Sequence, residues 1–247
     1  MRIPLPTDYT VFRFLIPSMG VEKKFRPFTV KENKALLAAQ STDDEVVMVD
    51  TLKQVISNCC LDKDFDVEKI AMFDAEYLLI KLRSISVGQT ASLIVTCRDP
   101  HDGFPEQTRK NEIVLDLDNV EVTDLDSYNP KIKLSDTMMV VMKAPTLDLL
   151  KKLKIEQGVD FESDYAAIVY NICVMIDSIV TQDEVIKSSD IGVQDIEQWL
   201  EALTEDQFMK LYNYFAKFPK CRVKLEWTCP HCGKHNQQYL EGVSYFF

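Results

Sequence analysis

Cys229 and Cys232, in the stretch WTCPHCGKHN, have the spacing of half a zinc site. A strand that runs into C-x-x-C-G and returns as a second strand makes a tight knuckle. Such a turn aims both thiolates and several backbone N–H groups at one metal, and Gly233 can take the positive φ required just after the second ligand. One knuckle supplies two ligands, whereas a structural zinc takes four, so two more must come from elsewhere in the chain.

The stretch LIVTCRDPHDG, residues 93–103, has the same outline: an apolar strand, Cys97, a short polar turn holding Pro100 and His101, then Gly103 and a following strand EIVLDL. It reads as a degenerate copy of LEWTCPHCG. Cys97, His101, Cys229 and Cys232 would then form a split Cys3His zinc ribbon holding one structural zinc, with His231 and His235 as alternative fourth ligands. Two other readings stay open from the residues alone. A lone C-x-x-C can be a redox pair, although such a pair is expected to open a helix and GKHNQQYLEG has no amphipathic helical pattern. Alternatively the turns hold no metal, since Arg98 and Asp99 follow Cys97 in place of a second cysteine at the standard spacing. A catalytic zinc would keep an open position beside a general base, and the carboxylates Asp99, Asp102 and Glu106 read instead as a solvated turn.

Other chemistry is sparse. The chain contains no G-x-x-x-x-G-K-[ST], G-x-G-x-x-G, H-E-x-x-H or G-x-S-x-G, the common nucleotide, zincin and hydrolase signatures. All three histidines lie in or beside the two turns, which removes histidine acid–base chemistry elsewhere. Adjacent carboxylates such as Asp43 and Asp44 match the charges common at helix starts. The expectation is a protein without enzymatic activity.

The 247 residues carry a formal net charge of −11. A chain so acidic repels phosphate backbones unless Lys and Arg gather in one patch, and the densest basic runs, EKKFR at 22–26 and KKLK at 151–154, are short. Nucleic acid is therefore not an expected partner. With 46% apolar and 27% charged residues the composition is globular. The most apolar segment, AAIVYNICVMIDSIV at 166–180, contains Asn171 and Asp177, falls short of the roughly 20 apolar residues that span a bilayer, and reads as a buried helix. No signal peptide is expected, and seven cysteines, with Cys59 beside Cys60 in a helical pattern, point to reduced thiols in a cytosolic compartment.

The elements that must position the two turns are legible as hydrophobic periods. YTVFRFLIPSMGVEKKFRPF reads as two strands around PSMG, with Phe12, Phe14 and Ile16 on one face. Three helices follow: one with Thr29 and Glu32 as a capping box, one with a stripe at Val46, Val49, Leu52, Val55, Ile56 and Cys59, and one capped by Asp74 and ended by Gly88. Short strands fill 91–143, helices follow from Pro145, with a capping box at Thr204 and Gln207, and two strands flank the last knuckle. The expected fold class is α+β: an N-terminal hairpin with helices over 1–90, a β-rich middle with the first knuckle over 91–144, a helical region over 145–220, and a zinc-ribbon-like knuckle over 221–247 packing on the middle.

Phe208, Tyr212 and Phe215 recur at helical spacing and are expected in the core. The terminal SYFF is expected to dock either into its own core or into another chain, because chain ends are ordinarily polar.

The run RIPLPT, the hairpin leading to FRPFTVKENKALLAA, then TLKQVISNCC, FDAEYLLIKLRSISVGQ, NPKIKLSD, MVVMKAPTL and the closing CPHCGKHN with LEGVSYFF together resemble the baseplate hub assembly proteins of T-even-like contractile-tailed bacteriophages. The resemblance covers nearly the whole chain. It implies a non-enzymatic hub component or assembly chaperone that binds other baseplate hub proteins during virion morphogenesis, in the host cytoplasm or the tail baseplate. It implies no catalytic residues. FRPF and SYFF are the places expected to supply adhesive surface. The rival expectation, from the residues, is a zinc-ribbon adaptor or regulator, which a basic surface around the knuckles would favour.

Overall fold

The computed structural model describes residues 8–42, 44–97, 110–149, 151 and 165–241. Its elements are mixed α and β in small antiparallel sheets, an α+β fold. The described residues up to Thr123, together with those from Lys220 onward, form one compact unit, and Asp124–Pro219 form a second. The boundary between Thr123 and Asp124 falls inside the segment that the strand pattern groups as one β-rich region.

The first unit opens with the hairpin β1 (Phe12–Ile16) and β2 (Val21–Phe25), turned by Gly20 at φ +64°. Two carbonyl-directed bonds, from Met19 N–H and Gly20 N–H to Ile16 O, close that turn at 3.1 and 2.9 Å. Helices α1 (Val30–Gln40), α2 (Glu45–Cys59) and α3 (Met72–Ser86) follow. The expected α2 stripe is the buried one from Leu52 through Val55 and Ile56 to Cys59. Helix α3 touches β1, α2, the later strand β5 (Val120–Val122) and the C-terminal strand β10 (Cys221–Thr228). It buries Phe73, Leu78, Leu79, Ile80 and Leu82, an apolar distribution on more than one face that suits a helix surrounded by protein.

Two local expectations are corrected in this unit. Asp74 does not occupy the cap position of α3. Ala71 does, and Asp74, fully buried, reaches back to accept from Ala71 N–H at 3.2 Å and from the backbone and hydroxyl of Ser18. The aromatic side chains of FRPF, expected as adhesive surface, are not exposed. Phe25 and Phe28 are buried, and Arg26 makes a two-pronged pair with Glu32 at 2.6 and 3.0 Å. The exposed apolar side chains of the hairpin region are instead Val11, Leu15, Met19 and Val21.

Two further hairpins complete the unit. Strands β3 (Thr90–Thr96) and β4 (Lys110–Asp116) pair with each other. Strand β10 lies between β5 and β11 (His235–Glu241) in a three-stranded sheet.

The second unit contains a four-stranded sheet in the order β6 (Lys131–Lys133), β7 (Met138–Met142), β8 (Ile176–Thr181), β9 (Val185–Lys187). Helices α4 (Tyr165–Met175), α5 (Val193–Glu201) and α6 (Glu205–Ala216) belong to the same unit. Its core gathers Val140, Ile172, Ile179, Leu200 and Leu211. The segment 166–180 is not one buried helix: the helix stops at Met175 and the chain continues as β8, pairing Val140 with Ile179. In α6 the buried stripe is Phe208, Leu211 and Tyr214, while Tyr212 is 38% exposed and is not core. The capping box at Thr204 is present, with Gln207 Oε1 accepting from Thr204 N–H at 3.0 Å and Thr204 Oγ1 accepting from Gln207 N–H at 3.4 Å.

Candidate metal centre

Two hairpin ends deliver the site. Strand β3 ends at Thr96 and places Cys97 just beyond it, and β10 ends at Thr228 and places Cys229 just beyond it. Alternation along each strand turns the residue two before each cysteine, Val95 and Trp227, inward. The cysteines inherit the same inward direction and are buried, at 1% and 0% exposure, while Cys232 is exposed.

The knuckle closes as its sequence demands. Gly233 N–H donates to Cys229 O, and Cys229 N–H to Lys234 O, both at 2.9 Å, with Gly233 at φ +70°. That turn points the N–H groups of His231 and Cys232 at the Cys229 sulfur and the N–H of Lys234 at the Cys232 sulfur.

The three sulfurs of Cys97, Cys229 and Cys232 lie within 4.8 Å of one another. Cys97 Sγ and Cys232 Sγ are 3.8 Å apart, far from the roughly 2.05 Å of a disulfide, and all three are free thiols. Two thiolates on one tetrahedral zinc, each about 2.3 Å from the ion, are separated by about 3.8 Å. The spacing is that of an edge of such a tetrahedron.

Electrostatics at the cluster divide the thiols. Burial pushes the Cys229 thiol up, but the backbone N–H groups of Cys232 and His231 and the neighbouring thiols outweigh it, leaving its pKa below the ordinary value. The Lys234 N–H pulls Cys232 down, yet burial and the Cys229 and Cys97 sulfurs hold it above the ordinary value. Without a cation one thiolate opposes the next, and a divalent cation removes that opposition.

Of the four residues the sequence nominates, the structure brings together Cys97, Cys229 and Cys232. His101 lies outside the described residues. Neither His231 nor His235 joins the group of ligand atoms formed by the described residues. Two residues that a search for ligands passes over also belong to the site. Asn111 and Asn236, 8% and 7% exposed, aim their amides at the sulfurs: Asn236 Nδ2 is 3.7 Å from Cys97 Sγ and Asn111 Nδ2 is 4.0 Å from Cys229 Sγ. The signal for them was present as a repeated pattern, NEIVLD at 111–116 and NQQYLE at 236–241, each following one of the turns.

The description T4 bacteriophage base plate protein attaches to a family model that matches residues 9–247. This chain belongs to that family. No curated protein and no solved structure matches it. The base plate family match runs through both compact units and includes all three clustered cysteines. As a member of the T4 base plate family, the chain is a bacteriophage tail protein of a structural kind, and no described helix is long and apolar enough to cross a membrane.

Proposed function

We propose that the protein is a non-enzymatic baseplate hub assembly factor or hub component that acts by binding other baseplate hub proteins during virion morphogenesis. The observation that carries this reading is the family match over residues 9–247. The site chemistry is compatible with it. The clustered thiols sit among buried amides, a setting that suits a structural metal. The protein works in the infected host cell and, if retained, in the tail baseplate.

Adhesive surface is required by this role. Among the described residues the β1–β2 hairpin region supplies it, exposing Val11, Leu15, Met19 and Val21 while Ile16 and Phe25 are buried in the core. Residues 244–247, SYFF, lie outside the described residues and are proposed to add to it. The adaptor reading needs a basic surface, and the strands around the knuckle mix Lys110, Lys224 and Lys234 with Glu112, Glu226 and Glu241.

Affinity-tagged protein recovered from infected cells tests the proposal. Baseplate hub proteins are expected to co-purify, and Leu15→Glu with Val11→Glu, or deletion of 244–247, is expected to lower their recovery while the melting temperature stays unchanged. Recovery without any baseplate protein, at any stage of infection, would contradict it.

A further inference from the structure

The two hairpins at the cluster are copies in register as well as in sequence. Val95 pairs with Asn111 and Ala91 with Leu115 in one; Trp227 pairs with Asn236 and Val223 with Leu240 in the other. In both, the cysteine lies two residues beyond the asparagine's cross-strand partner, and the asparagine is followed four residues later by a buried leucine. Strands β4 and β11 even share one alternation, with Asn111 and Leu115 matching Asn236 and Leu240 as the inward positions.

The amides are crossed between the copies. Asn236, of the second hairpin, faces Cys97 of the first, with Nδ2 at 3.7 Å and Oδ1 at 3.8 Å from Sγ. Asn111, of the first, faces Cys229 of the second, with Nδ2 at 4.0 Å from Sγ. Asn236 Nδ2 also donates to Lys234 O at 3.0 Å, which fixes its plane. An apolar core would not place two buried amides against two buried sulfurs without a reason, because burying amides is costly unless their hydrogen bonds are made. Amide N–H groups directed at sulfur are what a thiolate-ligated metal uses to orient its ligands and spread their charge.

We infer that Cys97, Cys229 and Cys232 are thiolate ligands of a structural Zn2+ that joins the two hairpins, and that Asn111 and Asn236 are its paired positioning residues, each holding the other hairpin's cysteine. Three soft sulfurs within 4.8 Å of one another select zinc over magnesium or calcium, which take oxygen ligands. The inference stands independently of the baseplate role, since it rests on geometry that any function would share.

The test uses the full chain, purified under reducing conditions without chelator. Elemental analysis is expected to give about one zinc per chain, and the cobalt(II)-exchanged protein is expected to show sulfur-to-cobalt charge transfer and the intense visible bands of a tetrahedral site. Cys97→Ser, Cys229→Ser and Cys232→Ser should each lose the metal. Because those variants can fail to fold, Asn111→Ala and Asn236→Ala carry the second half: each should weaken zinc affinity by about 10–100-fold against a competing chelator and shift the charge-transfer band. Folded, wild-type protein without zinc would overturn the site, as would a Cys97–Cys232 disulfide or iron in its place. Unchanged affinity and spectrum in both asparagine variants would overturn their role.

Discussion

The side-chain amide of Asn236 lies 3.7 Å from the sulfur of Cys97, 139 residues earlier in the chain. Its counterpart, Asn111 beside Cys229, spans 118 residues in the opposite sense. Contacts of that separation tie the C-terminal hairpin to the β3–β4 hairpin, and they make the cluster a staple within the first unit.

Gly233→Ala tests the knuckle's backbone. At φ +70° an alanine is strained, although its Cβ would meet nothing within 4 Å. The cost is therefore conformational, about 1–2 kcal/mol, and is expected as a lower melting temperature of the first unit and weaker zinc retention, both measurable by calorimetry and chelator competition.

His101 is the residue that the sequence nominates for the fourth ligand position. His101→Ala is expected to lower zinc affinity while leaving the three sulfurs bound. Zinc-edge X-ray absorption should count three sulfur ligands in both proteins and lose the imidazole signature only in the variant. An unchanged spectrum would assign the fourth position elsewhere.

Arg26 and Glu32 form a mostly buried pair, 13% and 8% exposed at the side chain, that also receives Thr29 N–H at 2.6 Å. Burial raises the Glu32 carboxyl, but Arg26 and Thr29 overcome that and hold it below the usual range. Removing one partner leaves a buried charge uncompensated, so Glu32→Ala should cost about 3–5 kcal/mol, with the double change Arg26→Met, Glu32→Leu costing less. Denaturant titration of the three proteins reads this directly. The depressed carboxyl also stabilises the fold above its unfolded pKa, and that contribution is lost as pH falls through the lower, folded value.

Glu76 has the opposite sign. Burial, with the Glu241 carboxylate nearby, raises its pKa to about 7. Its stabilising protonated form is fully present below the unfolded value of 4.5 and lost as pH rises through about 7. Wild type should therefore lose melting temperature between about pH 4.5 and pH 7 relative to Glu76→Gln, which holds its value across that window.

Much of this structure is legible in the sequence wherever a local rule decides. Gly20 and Gly233 mark turns that need positive φ, Thr204 with Gln207 spells a capping box, and the alternation in LIVTC and LEWTC gives both strands and the inward cysteines. Strand β8 is not legible, because 166–180 is apolar through most of its length and carries no clear period; pairing with β7 and β9 makes 176–181 a strand. FRPF misleads for a related reason: an arginine between aromatics looks like surface until Glu32 neutralises it inside. At the metal centre the ligands are recognisable by spacing, but the asparagines act on sulfurs more than a hundred residues away, and no local pattern states such a contact.

The most direct test of the functional account is infection with phage lacking the gene for this protein, with baseplates resolved by sedimentation and electron microscopy. The account predicts that complete baseplates with a central hub fail to form and are restored by the wild-type chain supplied from a plasmid. Normal numbers of intact, hub-containing baseplates in its absence would contradict it.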